Sequence, residues 1–463
     1  MPPLYIDLFL RVRSQLTDYP IPSCASSTVP AVSPRMTRAL VQGRGWRRHR
    51  TTRQLLAPTR LRLNKICTQL NIYLHTICPQ ACYNVDMRIG IDARFYGPRT
   101  GGGGLGRYVA ELVTHLQSVD KLNSYVIFLR KANFHECVIT NHNFSKRLVD
   151  VAWYTLAEQI VMRREVAAAG VDLMHYPHWN VPIFSRVPFV VTIHDLILLE
   201  DAASAHATTR NPFIHGIKQI GHRLALEHAV HRSRQIIAVS EFTKASILRH
   251  YRVKSQKITV IHNGVTVPLD GSRVSLRDLG VYEPYFLYVG NAYPHKNLAF
   301  MLESFAKFHH KHPSMQVVLA GKRDIFSRQL ELEARELGIP SDSIRFIDLP
   351  TDEEIAALYS HANLFIYPSR IEGFGIPPLE ALSHGTPVAS SKAASMPEIL
   401  GEDVRYFDPD DEEELMKIMN DAAEGHAVTD LMQQRGRRRA ERYHWELTAK
   451  KTLELYAAAK KLH

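Results

Sequence analysis

The sequence predicts an α/β protein of two doubly wound, Rossmann-like domains that face a central cleft. Three observations predict it. Short apolar runs alternate with amphipathic stretches from Met87 to the end of the chain. A polar stretch punctuated by Asn263-Gly264, Pro268 and Asp270-Gly271 divides that alternation into two series. The strand-to-helix turns of both series carry glycines, where open parallel sheets bind their ligands.

The first series, residues 87–265, has candidate strands at Arg88–Asp92, Ser124–Leu129, Leu173–His175, Phe189–Ile193, Gln235–Val239 and Ile258–Ile261. Helical periodicity falls at Arg107–Gln117, Ala157–Ala169, Ile214–Val230 and Glu241–His250. Residues 266–283 read as a linker. The second series, residues 284–444, has strands at Tyr285–Val289, Gln316–Ala320, Ile344–Ile347, Leu364–Tyr367 and Val388–Ser390. Its helices fall at Leu298–His312, Ile325–Leu337, Asp352–His361 and Pro377–His384, and Thr351 with Glu354 predicts a capping box. A last amphipathic helix runs from Trp445 to about Lys461.

Hydrophobic residues make up 45% of the 463 and charged residues 22%, which excludes collagen-like, largely disordered and coiled-coil classes. No run of 18 apolar residues occurs, so no spanning helix is expected. The net charge of +11 is unevenly placed. Residues 1–86 carry a net +9 and no Glu, and the rest of the chain carries +2. The basic character therefore belongs to an N-terminal extension and not to the body. Its basic clusters, Arg44–Arg53 and Arg60–Lys65, are separated from Met87 by Cys67, Cys78 and Cys82. We expect this extension to be poorly ordered and the working protein to begin near Met87, with no zinc site among those cysteines and His75. A transit peptide and a nucleic-acid or membrane arm are the other readings.

Four motifs carry chemistry. Gly101-Gly102-Gly103-Gly104-Leu105-Gly106 opens the first helix, where free backbone N–H groups suit a phosphate. Residues Arg94 to Thr100 lie between the first strand's end and these glycines, and the second strand ends Phe128-Leu129-Arg130 with no acid for a ribose. Both argue against a dinucleotide fingerprint. His194 ends a strand and points to the expected cleft, where an imidazole can orient a polar substrate group. Gly290-Asn291-Ala292-Tyr293-Pro294-His295-Lys296 forms the first strand-to-helix turn of the second series, with Lys296 a point charge suited to a diphosphate. The fourth, Glu372-Gly373-Phe374-Gly375-Ile376-Pro377-Pro378-Leu379-Glu380, couples a loop to a helix start. Eight positions of continuous helix span about 12 Å. A hydrolase pair spans about 5–9.5 Å. Two separate hydroxyl contacts are the better fit, Glu380 to a ribose and Glu372 to a hexose.

In this order the motifs resemble the retaining glycosyltransferases of family four, which have the GT-B fold. The resemblance covers about residues 87–461, including Val239-Ser240-Glu241-Phe242-Thr243 and Asn263-Gly264-Val265. It implies a nucleotide-diphosphate sugar bound mainly by the second domain, a glycan or lipid-linked acceptor on the first, and no required cofactor or metal. Lys296 would hold the diphosphate with Gly103, Gly104, Gly290 and Asn291 nearby. Glu380 would hold the ribose. Glu372 with Gly373, Phe374, Gly375 and Ile376 would hold the transferred sugar, with His194 near its reacting carbon. The last helix would cross back onto the first domain. Many members carry Arg where Asn291 stands, so the missing phosphate charge falls to Lys296, Arg323 or Arg107.

The resemblance implies a cytoplasmic enzyme of polysaccharide or lipopolysaccharide assembly, a mannosyltransferase using GDP-mannose as the first choice of donor. UDP-glucose, UDP-N-acetylglucosamine and dTDP-rhamnose stay open. Lys218, His222, Arg223, His231, Arg232 and Arg234 offer a basic face for peripheral contact with the inner membrane, or simply a solvated helix face. No nucleic-acid partner is expected. A sugar-nucleotide epimerase, a nicotinamide oxidoreductase and a non-catalytic binder working through the basic arm are the competing classes.

Overall fold

A computed structural model describes residues 86–97, 100, 103–201, 212–266, 271–425 and 430–461, without the side chains of 212–220 and 430. All of them lie in one compact unit, Gln80–His463. The basic extension with its four cysteines, the glycines 101 and 102 and the linker residues 267–270 fall outside the described residues.

The first sheet has seven parallel strands. They are β1 (Arg88–Asp92), β2 (Ser124–Leu129), β3 (Phe144–Leu148), β4 (Leu173–Tyr176), β5 (Phe189–Ile193), β6 (Gln235–Ala238) and β7 (Ile258–Val260), in spatial order β3-β2-β1-β4-β5-β6-β7. The second has six: β8 (Tyr285–Val289), β9 (Gln316–Gly321), β10 (Ile344–Asp348), β11 (Leu364–Tyr367), β12 (Val388–Ser391) and β13 (Arg405–Phe407), in order β10-β9-β8-β11-β12-β13. Both orders run outward from the first strand and then reverse. The switch points lie between β1 and β4 and between β8 and β11, where crossover helices leave opposite faces and open a crevice. Central strands such as Tyr285-Phe286-Leu287-Tyr288-Val289 are buried on both faces, which is why they read as continuous apolar runs.

Every expected strand and helix forms, to within a residue or a few at its ends, and the Thr351–Glu354 capping box is made. Two edge strands escaped the sequence reading. Phe144-Ser145-Lys146-Arg147-Leu148 is polar and pairs on one side only, and Arg405-Tyr406-Phe407 is three residues long. Neither carries an apolar run to announce it. The helices Met396–Leu400, Glu412–Ala423 and Asp430–Ala440 were missed as well.

The last helix, Trp445–Lys461, packs in the core of the first sheet's domain, with Trp445, Ala449, Leu455, Tyr456 and Ala459 buried among the residues of the first helix, Gly104–Val119. A side chain at Gly264 would sit 2.2 Å from the Trp445 backbone nitrogen, so this crossing needs glycine there. Tyr456 reaches His175 on β4 at 2.7 Å.

At the carboxyl end of β1 a buried ion network sets the loop geometry. Arg94 is fully buried and donates to both carboxylate oxygens of Asp92, each at 2.8 Å, and to Glu158 at 2.5 Å. Glu158 also accepts from Asn180 at 2.8 Å and from the Tyr154 backbone N–H at 2.7 Å. Removing one member of such a network strands the others without solvent. Arg94→Met is expected to destabilise the fold by about 3–5 kcal/mol in urea unfolding. A loss below 1 kcal/mol, about what an exposed pair contributes, would contradict the network.

Candidate active site

The site is assembled at the two switch points. On the second sheet, β8 ends at Gly290, whose backbone has φ 151° and where a Cβ would lie 2.6 Å from the Tyr288 hydroxyl. The turn then carries Asn291, whose carbonyl accepts from Tyr288 at 2.7 Å and whose buried amide oxygen has no hydrogen-bond partner. A single 3₁₀ turn, Pro294–Lys296, presents Lys296. From β11, on the other side of the switch point, the loop brings Glu372. Lys296 Nζ donates to Glu372 Oε1 at 2.5 Å, and the Tyr367 hydroxyl donates to the same oxygen at 2.8 Å. Both side chains of the ion pair are nearly buried. Burial alone would raise the Glu372 carboxyl. The charge of Lys296, the neighbouring His295 and the hydrogen bonds from Lys296 and Tyr367 outweigh it and hold the group below its ordinary value.

Glu380 stands in the second turn of the helix Ile376–His384. Gly375, at φ 84°, makes the left-handed turn that starts this helix, and Phe374 anchors the loop in the core against Tyr443. Glu380 accepts from Arg107 at 2.6 Å and from the Tyr359 hydroxyl at 3.3 Å. Arg107 also reaches Asp352 at 2.7 Å. The arginine considered for phosphate is therefore engaged by two carboxylates, and it spans from the first domain to the second. Arg323, the other candidate, pairs with Glu331 at 2.7 Å. A recess open to solvent lies beside Gly290 at the carboxyl ends of β8, β9 and β10. It is lined by Tyr288, Ala292, Gly321, Arg323 and Asp348 among others.

On the first sheet, His194 follows β5. Its Nε2 lies 2.9 Å from the Pro177 carbonyl, which can only accept, so Nε2 carries the proton and the neutral ring keeps a lone pair on Nδ1. Tyr108 packs edge-on against the ring at 4.7 Å, and its hydroxyl shares a hydrogen bond with Thr192. Gly103, at φ 75°, and Gly104 begin the first helix with no atom within 4 Å of where a Cβ would project. They line open space.

The two domains meet at Gly373. A Cβ there would lie 1.8 Å from the His194 carbonyl oxygen. The Gly373 carbonyl accepts from Ser240 at 2.6 Å and from Thr243 at 3.4 Å. His194 and the Glu372 loop are thereby neighbours across the cleft. The sequence reading brought Lys296, Glu372, Gly290 and His194 to this region. It missed Tyr367, Tyr359, Asp352 and the docking role of Ser240 and Thr243, for which an isolated Tyr or Ser gives no signal. The proposed basic face is partly corrected. His222 turns inward to Tyr154 and Trp179, and Arg234 donates to the Ala459 carbonyl at 3.0 Å, while Arg223, His231 and Arg232 stay exposed and the side chain of Lys218 lies outside what is described. Among the described residues no cluster of His, Cys, Asp and Glu could hold a metal ion, and no helix is long and apolar enough to cross a membrane.

Comparison with known proteins agrees with this architecture. The family described as Glycosyltransferase Family 4 matches residues 102–267, and that described as Glycosyl transferases group 1 matches residues 278–439. The O-antigen chain mannosyltransferase RfbU of Salmonella typhimurium is 26% identical over 67% of this chain and 84% of its own. Sucrose-phosphate synthase from Thermosynechococcus elongatus superposes with a TM-score of 0.64 at 20% identity, over 80% of this chain and 98% of that one. Anabaena HepE in complex with UDP-glucose superposes at 0.62 with 17% identity, over 80% and 100%. The fold is GT-B, and the chain belongs to the family 4 glycosyltransferases.

Burial makes this site sensitive to acid. It lowers His175 and His178 to about 3, with His194 adding to both and His222 to the second. It lowers His194 and His295 to about 4, against the Pro177 carbonyl in the first case and with Lys296 in the second. An unfolded histidine titrates near about 6.5, so between that value and 4 the unfolded chain binds more protons and stability rises with pH. The melting temperature is therefore expected to fall steadily from pH 7 to pH 5, with a shallower slope in His175→Gln. A flat profile over that range would contradict the buried neutral state.

Proposed function

We propose that this glycosyltransferase moves a mannosyl unit from GDP-mannose to a glycan acceptor carried on a lipid, with retention of anomeric configuration. The observation that carries the reading is the convergence of Lys296, Glu372 and Glu380 around the β8–β11 switch point, opposite His194. The RfbU likeness supports mannose. Asp348 on the rim of the recess supports guanine, whose adjacent N1–H and N2 amine both donate to a carboxylate, while uracil offers one such donor.

The chemistry follows from the groups present. The base enters the recess, the ribose hydroxyls donate to Glu380, and the diphosphate lies along the Gly290 turn by Lys296. Breaking the sugar–phosphate bond puts negative charge on the leaving diphosphate. Lys296, once it shares Glu372 with the sugar, and the open backbone at Gly103 and Gly104, at a helix N-terminus, meet that charge. Glu372 accepts from hydroxyls of the sugar and leaves Lys296 partly released to the phosphate. His194 Nδ1 accepts from a further hydroxyl near the reacting carbon. The acceptor oxygen attacks that carbon from the face the diphosphate leaves, and the departing phosphate oxygen takes its proton. Positioning accounts for the remainder of the rate.

Turnover of GDP-mannose, followed by GDP release, tests the reading beside UDP-glucose, UDP-N-acetylglucosamine and dTDP-rhamnose. Lys296→Ala and Glu372→Ala are each expected to cut kcat by about 100-fold or more, with the fold intact by circular dichroism. Wild-type rates in either variant would contradict the assignment, and preference for a uridine donor would contradict the base.

A further inference from the structure

The first domain holds a ring cluster that the donor site does not use. Tyr154 lies 4.9 Å from His222 and 5.7 Å from Trp179, centroid to centroid. His178 and Trp179 are 4.6 Å apart, and Trp179 and His222 are 5.4 Å apart. Phe95 backs the cluster, 5.4 Å from His178, and itself stacks on Trp153 at 4.2 Å. Phe95, Trp153, Tyr154, His178 and Trp179 come from the chain beyond β1, β3 and β4, at the carboxyl edge of the sheet, and His222 comes from the helix Pro212–Arg232. His178 directly follows Pro177, whose carbonyl holds His194.

The cluster is built and not incidental. Tyr154 adopts φ 60°, a left-handed conformation unfavourable for a residue with a Cβ, and 45% of it is exposed. Its backbone N–H is fixed by Glu158, which is itself fixed by the buried Arg94. Trp153 Nε1 is buried behind it with no hydrogen-bond partner. An exposed ring held in a strained backbone by a buried ion network is a presented surface.

We propose that the exposed Tyr154 ring, flanked by the half-buried His178 and His222 and backed by the buried Trp179, forms an acceptor subsite that stacks one uncharged pyranose ring of the saccharide receiving the transferred sugar. A pyranose has an apolar face of C–H groups and a polar rim. It covers the Tyr154 ring while the Tyr154 hydroxyl and the His222 imidazole exchange hydrogen bonds with its edge. On the Tyr154 side of the cluster Arg94 is matched by Asp92 and Glu158, and Arg130 by Asp150 at 3.5 Å and the Trp153 ring at 4.7 Å, while Arg223 beside His222 is exposed. Burial keeps His178 neutral, at about 3. A neutral ring suits the Tyr154 side of the cluster, where both arginines are paired, better than a phosphorylated one. The proposal rests on the donor reading above for the identity of the sugar, and its first test is independent of donor turnover.

Trp153 and Trp179 make the test direct. Titrating the full-length protein with an α-linked mannotriose is expected to change tryptophan fluorescence saturably. Tyr154→Ala and His222→Ala are each expected to weaken that binding by about tenfold, and Tyr154→Phe by no more than about twofold. GDP-mannose hydrolysis without acceptor stays at the wild-type rate in Tyr154→Ala, while the KM for mannotriose rises. No fluorescence change in the wild type, equal affinity in both alanine variants, or tighter binding of mannose 6-phosphate than of mannotriose would overturn the proposal. Failure of every nucleotide sugar to turn over would sink the donor reading alone, because the titration still decides the subsite.

Discussion

The two domains meet backbone to backbone at Gly373, and the geometry of the site depends on that contact. A residue without a side chain lets the loop after β11 lie against the His194 carbonyl. Ser240 and Thr243, the cap and first turn of the helix Glu241–His250, then bind the Gly373 carbonyl. Glu398 completes the seam from the second domain. Burial pushes its carboxyl up, and hydrogen bonds from His262 and from the free N–H groups of Glu241 and Phe242 bring it below its usual value. A helix start of one domain is thus neutralised by an acid of the other. This seam sets His194 facing Glu372.

Around the seam, charges are held in place by one another. Lys296 and Glu372 are nearly dry, and Tyr367 satisfies the carboxylate further. Arg107 and Glu380 make a second pair across the cleft, shared with Asp352. Pairing of this kind is weak evidence of stability, because desolvation offsets most of the attraction. Its better-founded role here is positional. Each functional side chain is restrained before any substrate arrives, so little ordering remains to be done when a diphosphate and a ribose take the partners' places.

The fold was legible because both sheets are parallel and buried, so their central strands are apolar runs and their helices keep a 3.6-residue stripe. Lys296 and Glu372 were legible as charges set in strand-to-helix turns, where a chain rarely needs a charge for packing, and Glu380 by its spacing from Glu372 on the helix that follows. The edge strands Phe144–Leu148 and Arg405–Phe407 were not, since one-sided pairing puts little demand on composition. The contact of Arg107 with Glu380 joins residues 273 positions apart, and that of Ser240 with Gly373 joins residues 133 apart. Periodicity and local motifs report nothing over such separations. For the same reason the inward turn of His222 could not be told from a place on a basic helix face.

The seam can be tested with one methyl group. Gly373→Ala leaves every charged residue of the site in place and requires no unusual backbone angle. It forces the loop off the His194 carbonyl. Steady-state kinetics of that variant, with nucleoside diphosphate affinity measured alongside, decide the matter. The account predicts that kcat collapses while the nucleotide still binds the second domain. Unchanged turnover would contradict it.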